Sequence, residues 1–119
     1  MKKHSQWSRF KFALAGLKAA WEREASFRTE VIVTGIVLMA MAVLRPEILW
    51  WVAISLSIAL VLSAELINTA LETVCDALHP DIHPLIKVTK DCASGAVLIC
   101  NVAAMGVLVT LAGHLLHDW

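Results

Sequence analysis

The residues with the greatest chemical capacity lie in one stretch, Ala64-Glu65-Leu66-Ile67-Asn68-Thr69-Ala70-Leu71-Glu72-Thr73-Val74-Cys75-Asp76. At about 100° per residue, Glu65, Asn68, Glu72 and Asp76 fall on one narrow stripe of a helix. Glu24, Lys90 and Asp91 lie at the ends of neighbouring segments and join this set. Carboxylates are hard oxygen ligands that suit Mg²⁺, which is commonly held by one or two of them together with substrate phosphates. A lysine nearby can bind phosphate, and a carboxylate can accept the proton of a hydroxyl. Metal, cation and base are the parts that phosphoryl transfer needs. The same parts also suit an ion or proton pathway. The chain contains no G-x-x-x-x-G-K-(S/T) phosphate loop, no protein-kinase signature and no G-x-S-x-G elbow.

The elements that must carry these residues are apolar helices. An uncharged run from Ile48 to Ala64 leads directly into the acidic stripe, and Leu66, Ile67, Ala70, Leu71 and Val74 keep the intervening positions apolar. A carboxylate joined to a membrane-length segment usually faces a bundle interior or a wet cavity and marks function. Spans need about 20 residues. The pattern predicts three, at about 27–44, 48–78 and 87–117. Arg45-Pro46-Glu47 breaks the first, because proline cannot continue a helix interior. Trp50-Trp51 fits an aromatic belt at the far interface. The second span outlasts the hydrocarbon, so its acidic end belongs at the membrane edge. His79-Pro80-Asp81-Ile82-His83-Pro84 reads as a loop whose prolines exclude one regular helical ligand face for His79, Asp81 and His83. The third span starts near Leu85, with Lys87, Lys90 and Asp91 in its first turns. Small residues Ala93 to Ala96 suit close packing. Asn101, in mid-span, is placed to hydrogen-bond across helices.

Before the spans, about 7–24 reads as an amphipathic surface helix. Trp7, Phe10, Leu14, Leu17 and Trp21 recur at spacings of three and four on one face, with Lys11 and Lys18 flanking it. Such a helix lies in the membrane interface. Phe12 falls off that face and is expected to pack on another helix. Glu24 and Arg28 are four apart and are expected to pair on one helix face.

Composition sets the class. Hydrophobic residues make up 59% of the 119 residues, which argues against a soluble globular domain and fits a single all-α membrane domain. The net charge is zero, yet Lys2, Lys3, Arg9, Lys11, Lys18, Arg23 and Arg28 crowd the first thirty residues. That asymmetry speaks of topology, not of nucleic acid: it places the N-terminus in the cytoplasm. With three spans, the acidic stripe returns to the same side. Cys75, Cys92 and Cys100 form no disulfide framework, and two or three of them read as small buried thiols. No cleavable signal peptide is expected from the basic, aromatic start.

The stripe resembles the E-x-x-N-(S/T)-A-(I/L)-E-x-x-x-D signature of the prokaryotic diacylglycerol kinase family, which also contains undecaprenol kinases. Gly16-Leu17-Lys18-Ala19-Ala20-Trp21, continued by Glu24 to Glu30, resembles the family's N-terminal block. Lys90-Asp91, continued by Ser94-Gly95-Ala96-Val97-Leu98, resembles its K-D block. The resemblance implies a homotrimer in the bacterial inner membrane, with composite sites and MgATP-dependent phosphorylation of a lipid hydroxyl. By motif, Glu65 matches the proton acceptor, and Glu24 and Glu72 match the metal-binding glutamates. Lys90 and Asp91 match the nucleotide-contacting pair, with Asp81, Ile82 and His83 adjacent to the nucleotide. Phe12 stands where the family often has a nucleotide-contacting tyrosine. Arg9, Trp21, Arg28, Glu30, Asn68 and Asp76 are expected to bind substrate or support the site. Residues Ala25 to Arg28 and Glu30 look more like diacylglycerol kinases. The Ile82 to Leu85 and Lys87 to Asp91 runs look more like the undecaprenol branch. A small multidrug-type transporter is the rival of another class, but it wants four spans and a carboxylate deep in the first. A structural membrane peptide would leave the acidic stripe without a purpose.

Overall fold

The computed structural model describes residues 5–78 and 83–117. They form α1 (Gln6–Arg23), α2 (Ala25–Leu44), α3 (Ile48–Leu78) and α4 (Pro84–His117), with no strand among the described residues. Helices α2, α3 and α4 are long and apolar enough to cross a membrane. The chain is an all-α membrane protein. Helices α3 and α4, of 31 and 34 residues, rise about 46 and 51 Å at 1.5 Å per residue. Both exceed the roughly 30 Å hydrocarbon layer, so each carries turns beyond it.

Among the described residues, seven apolar side chains are buried. That is too few for a water-soluble bundle, so the remaining apolar faces need lipid or another chain against them. Met41, Ile54 and Leu111 form the tightest cluster, one from each spanning helix, with Trp50 and Trp51 packed beside them. Trp50 also meets the His114 ring, with centroids 5.5 Å apart.

Local chemistry sets the helix ends. Ser5 caps α1 by accepting a hydrogen bond from the Ser8 N–H at 3.1 Å. Glu24 has φ −115° and ψ 113°, extended backbone that separates α1 from α2. The expected Glu24–Arg28 pair on one helix face therefore does not form, because Glu24 is not helical. Arg28 turns back instead, and its Nη1 donates to the Trp21 carbonyl at 2.7 Å and the Glu22 carbonyl at 3.3 Å. These are orphan carbonyls at the end of α1, and a cation there also suits the helix dipole. Arg45 closes α2 in the left-handed region at φ 51°, its N–H bonding the Met41 carbonyl at 2.8 Å. Pro46 follows and prevents continuation. Helix α4 begins at Pro84, where a first-turn proline loses no helical hydrogen bond. The His83 ring accepts from the Leu85 N–H at 3.2 Å at that start.

Helix α3 packs against α2 and most extensively against α4, while α2 and α4 have no comparable backbone approach. The result is a trough floored by α3 and walled by α2 and α4. Helix α1 touches only α2 and α3. Its face of Trp7, Phe10, Leu14, Leu17 and Trp21 is exposed along its length. Phe12 is 57% exposed, and α1 buries only Ala20. The cysteines are all free, but Cys75 alone is buried: Cys100 is half-buried and Cys92 faces outward. In the small stretch of α4, Ala93 is buried against the bundle, while Gly95 has open space where a side chain would point.

Candidate active site

The stripe on α3 runs from buried to exposed. Glu65 is 4% exposed, the one buried charged residue among those described. Asn68 and Glu72 are half-buried, and Asp76 is exposed. Eleven residues separate Glu65 from Asp76, or about 16 Å of helix axis. The stripe thus leads from the protein interior to the rim. Asn68 Nδ2 donates to Glu72 Oε1 at 3.3 Å, one turn along. The Asn68 Oδ1 and Thr69 Oγ1 atoms are buried without a hydrogen-bond partner.

Helix α4 runs antiparallel beside this stripe. At the rim, Lys90 Nζ donates to Asp76 Oδ1 at 2.7 Å. Lys87 Nζ donates to Asp91 Oδ2 at 2.7 Å, so Lys90 and Asp91 point to different partners. Eleven residues further along α4 from Lys90 is Asn101, which this antiparallel register brings to the depth of Glu65. Helix α2 brings Glu30 to the same depth. The Glu30 carboxylate interacts with both the Glu65 carboxylate and the Asn101 amide. Its Oε2 atom is buried and makes no hydrogen bond.

The other candidate residues are spread over α1 and its junctions. Glu24 is half-buried at the α1–α2 break. Arg9 and Phe12 are exposed on α1, and so is Trp21, whose carbonyl Arg28 caps. His83 is exposed just before α4. Asp81 and Ile82 lie outside the described residues. The chain therefore gathers Glu30, Glu65 and Asn101 at one depth, and Asp76 and Lys90 at the rim. Asn101 is the residue that sequence reasoning left out of the site. Its signal was an amide in mid-span; what was missing was the register that sets it across from Glu65.

Among the described residues, no group of three His, Cys, Asp or Glu side chains is gathered to hold a metal ion. A magnesium ion arriving with a nucleotide needs only one or two carboxylates from the protein, the rest of its shell being phosphate and water. Glu72 engages one oxygen with Asn68 and has a second to offer. The donor set among the described residues therefore fits a nucleotide-borne magnesium.

A buried carboxylate, Glu65, next to the Glu30 that lines an apolar trough and continued to a charged rim, defines a helical membrane protein with a polar site at one edge. The sequence profile described as "Prokaryotic diacylglycerol kinase" matches residues 11–112. The chain belongs to that family. Proteins named "Diacylglycerol kinase" are similar to it. One from Synechocystis is 37% identical over 97 residues, covering 81% of this chain and 55% of that protein. One from Helicobacter pylori is 38% identical over 84 residues, covering 71% and 66%. One from Escherichia coli is 33% identical over 94 residues, covering 79% and 77%. The match spans about half the length of the Synechocystis relative.

Proposed function

We propose that the protein phosphorylates diacylglycerol to phosphatidic acid, using ATP with Mg²⁺, at the cytoplasmic face of the bacterial inner membrane. The observation that carries this reading is Glu65: a buried carboxylate where the apolar part of α3 ends, beside a trough open to lipid. The names of the relatives support the choice of lipid. The basic N-terminal segment supports the cytoplasmic orientation.

In this mechanism the lipid enters sideways and brings its hydroxyl to Glu65. The hydroxyl oxygen forms a bond to the γ-phosphorus of ATP, and the bond from that phosphorus to the β–γ bridging oxygen breaks. ADP leaves, and the hydroxyl proton passes to the Glu65 carboxylate. Glu24 and Glu72 would hold Mg²⁺, which when bound offsets phosphate charge. Asn68 orients Glu72 through its amide. Lys90, held at the rim by Asp76, meets the phosphates with its remaining N–H donors. Asp91 and the residues around His83 contribute to the nucleotide side.

The working unit in this reading is a homotrimer. One chain buries few side chains and offers one short surface helix besides its spans, too little to enclose both a nucleotide and a lipid. The test is transfer of labelled phosphate from ATP to lipid by purified protein in mixed micelles. Diacylglycerol and undecaprenol are supplied separately, with Mg²⁺ or with chelator. Labelled phosphatidic acid that disappears with chelator is the expected result. Transfer to undecaprenol alone would move the protein to the other branch of the family, and no transfer to either would remove the kinase reading.

A further inference from the structure

The trough between α2 and α4 contains a polar group that the transfer step does not use. It is a cleft of about 330 Å³, with Glu30, Thr34, Ser57 and Asn101 as its polar lining. From Glu30 to Val37 on α2, and from Asn101 to Leu108 on α4, its walls continue for seven residues. That is about 10 Å of almost wholly apolar channel leading away from Glu65. Ser57 gives its hydroxyl proton to the Ala53 carbonyl at 2.8 Å and has none left for a ligand. Glu30 and Asn101 remain at the inner end, with Thr34 one turn further along the apolar channel. Glu30, whose buried Oε2 has no hydrogen-bond partner, stands beside Glu65, which takes the proton of the lipid hydroxyl in the proposed step. Asn101 carries two N–H donors, of which the neighbouring carboxylate needs one. The other calls for a carbonyl oxygen.

A ligand that meets these demands has a hydroxyl, a carbonyl a few bonds away and a long apolar chain. We propose that Asn101 is a specificity residue that selects lipid alcohols bearing an ester carbonyl beside the hydroxyl, with one acyl chain lying in the trough. This rests on the kinase reading and narrows its substrate. A polyprenol, or a glycerol lipid with ether-linked chains, offers the hydroxyl and the apolar chain but gives the Asn101 amide no carbonyl.

The experiment compares 1,2-dioctanoylglycerol with its di-O-octyl ether analogue as phosphate acceptors for the full chain in mixed micelles. The unmodified protein should show a KM about fivefold to tenfold lower for the ester, the worth of one hydrogen bond. Asn101→Leu should close that gap by bringing the ester KM to the ether KM, with any change in kcat shared by the two lipids. Equal KM values for ester and ether in the unmodified protein would overturn the proposal and leave the kinase reading standing. That comparison needs no folded variant, and it is also the result expected if a helix of a second copy fills the trough. A gap that survives in Asn101→Leu would overturn the assignment to Asn101. Transfer to neither lipid would remove the kinase reading and this proposal together.

Discussion

Lys90 Nζ lies 2.7 Å from Asp76 Oδ1, joining the second turn of α4 to the last turn of α3 across fourteen residues of sequence. Asp76 is exposed, so water competes for the pair and the bridge itself adds little stability. Its value is directional: one N–H is committed to Asp76, and two face away.

Asp76→Asn should therefore raise the KM for ATP while assembly and kcat persist, and Asp76→Glu should recover part of the loss. Steady-state kinetics with ATP varied at saturating lipid check this. An unchanged KM would mean that Lys90 does not depend on Asp76 for its orientation.

Glu24→Gln and Glu72→Gln should each sharply raise the Mg²⁺ needed for turnover, or abolish it, in protein that still assembles. The carboxylates are the hard ligands an amide replaces poorly. Activity titrated against Mg²⁺ at fixed ATP reads the effect, and identical curves for both variants and the parent would rule out the metal assignment.

Mixed oligomers test whether a site draws on two chains. Glu24 sits at the α1–α2 break and Glu65 deep on α3. Inactive Glu24→Gln and inactive Glu65→Gln proteins, co-assembled, should regain part of the activity if the two residues serve one site from different subunits. No recovery in verified mixed oligomers would point to a site within one chain.

Much of the fold could be read from the sequence because apolar helices announce themselves by composition and by breakers such as Arg45-Pro46. The acidic stripe was equally legible, since its four residues obey helical spacing on a single element. What escaped depended on a backbone break or on register between elements. Glu24 leaves the helical path, so the i, i+4 rule that pairs it with Arg28 no longer applies, and Arg28 caps α1 instead. Asn101 meets Glu30 only because α2 and α4 stand on either side of α3 at that depth, which no local pattern encodes.

Orientation is checked by labelling a cysteine-free background with an impermeant reagent. A cysteine at Glu22, in the last turn of α1, should react only from the cytoplasmic side. One at Glu47, between α2 and α3, should react only from outside. The reverse pattern would separate the acidic rim from cytosolic ATP and contradict the mechanism.

The central claim is that buried Glu65 takes the proton from the lipid hydroxyl, and the turnover of Glu65→Gln tests it most directly. General-base catalysis contributes typically 10²–10⁴-fold, so the variant should lose at least about a hundredfold in kcat. It should still assemble and bind ATP, measured on the same preparation, because Glu72 and Lys90 are untouched. Near-normal turnover, or a loss confined to ATP binding, would contradict the account.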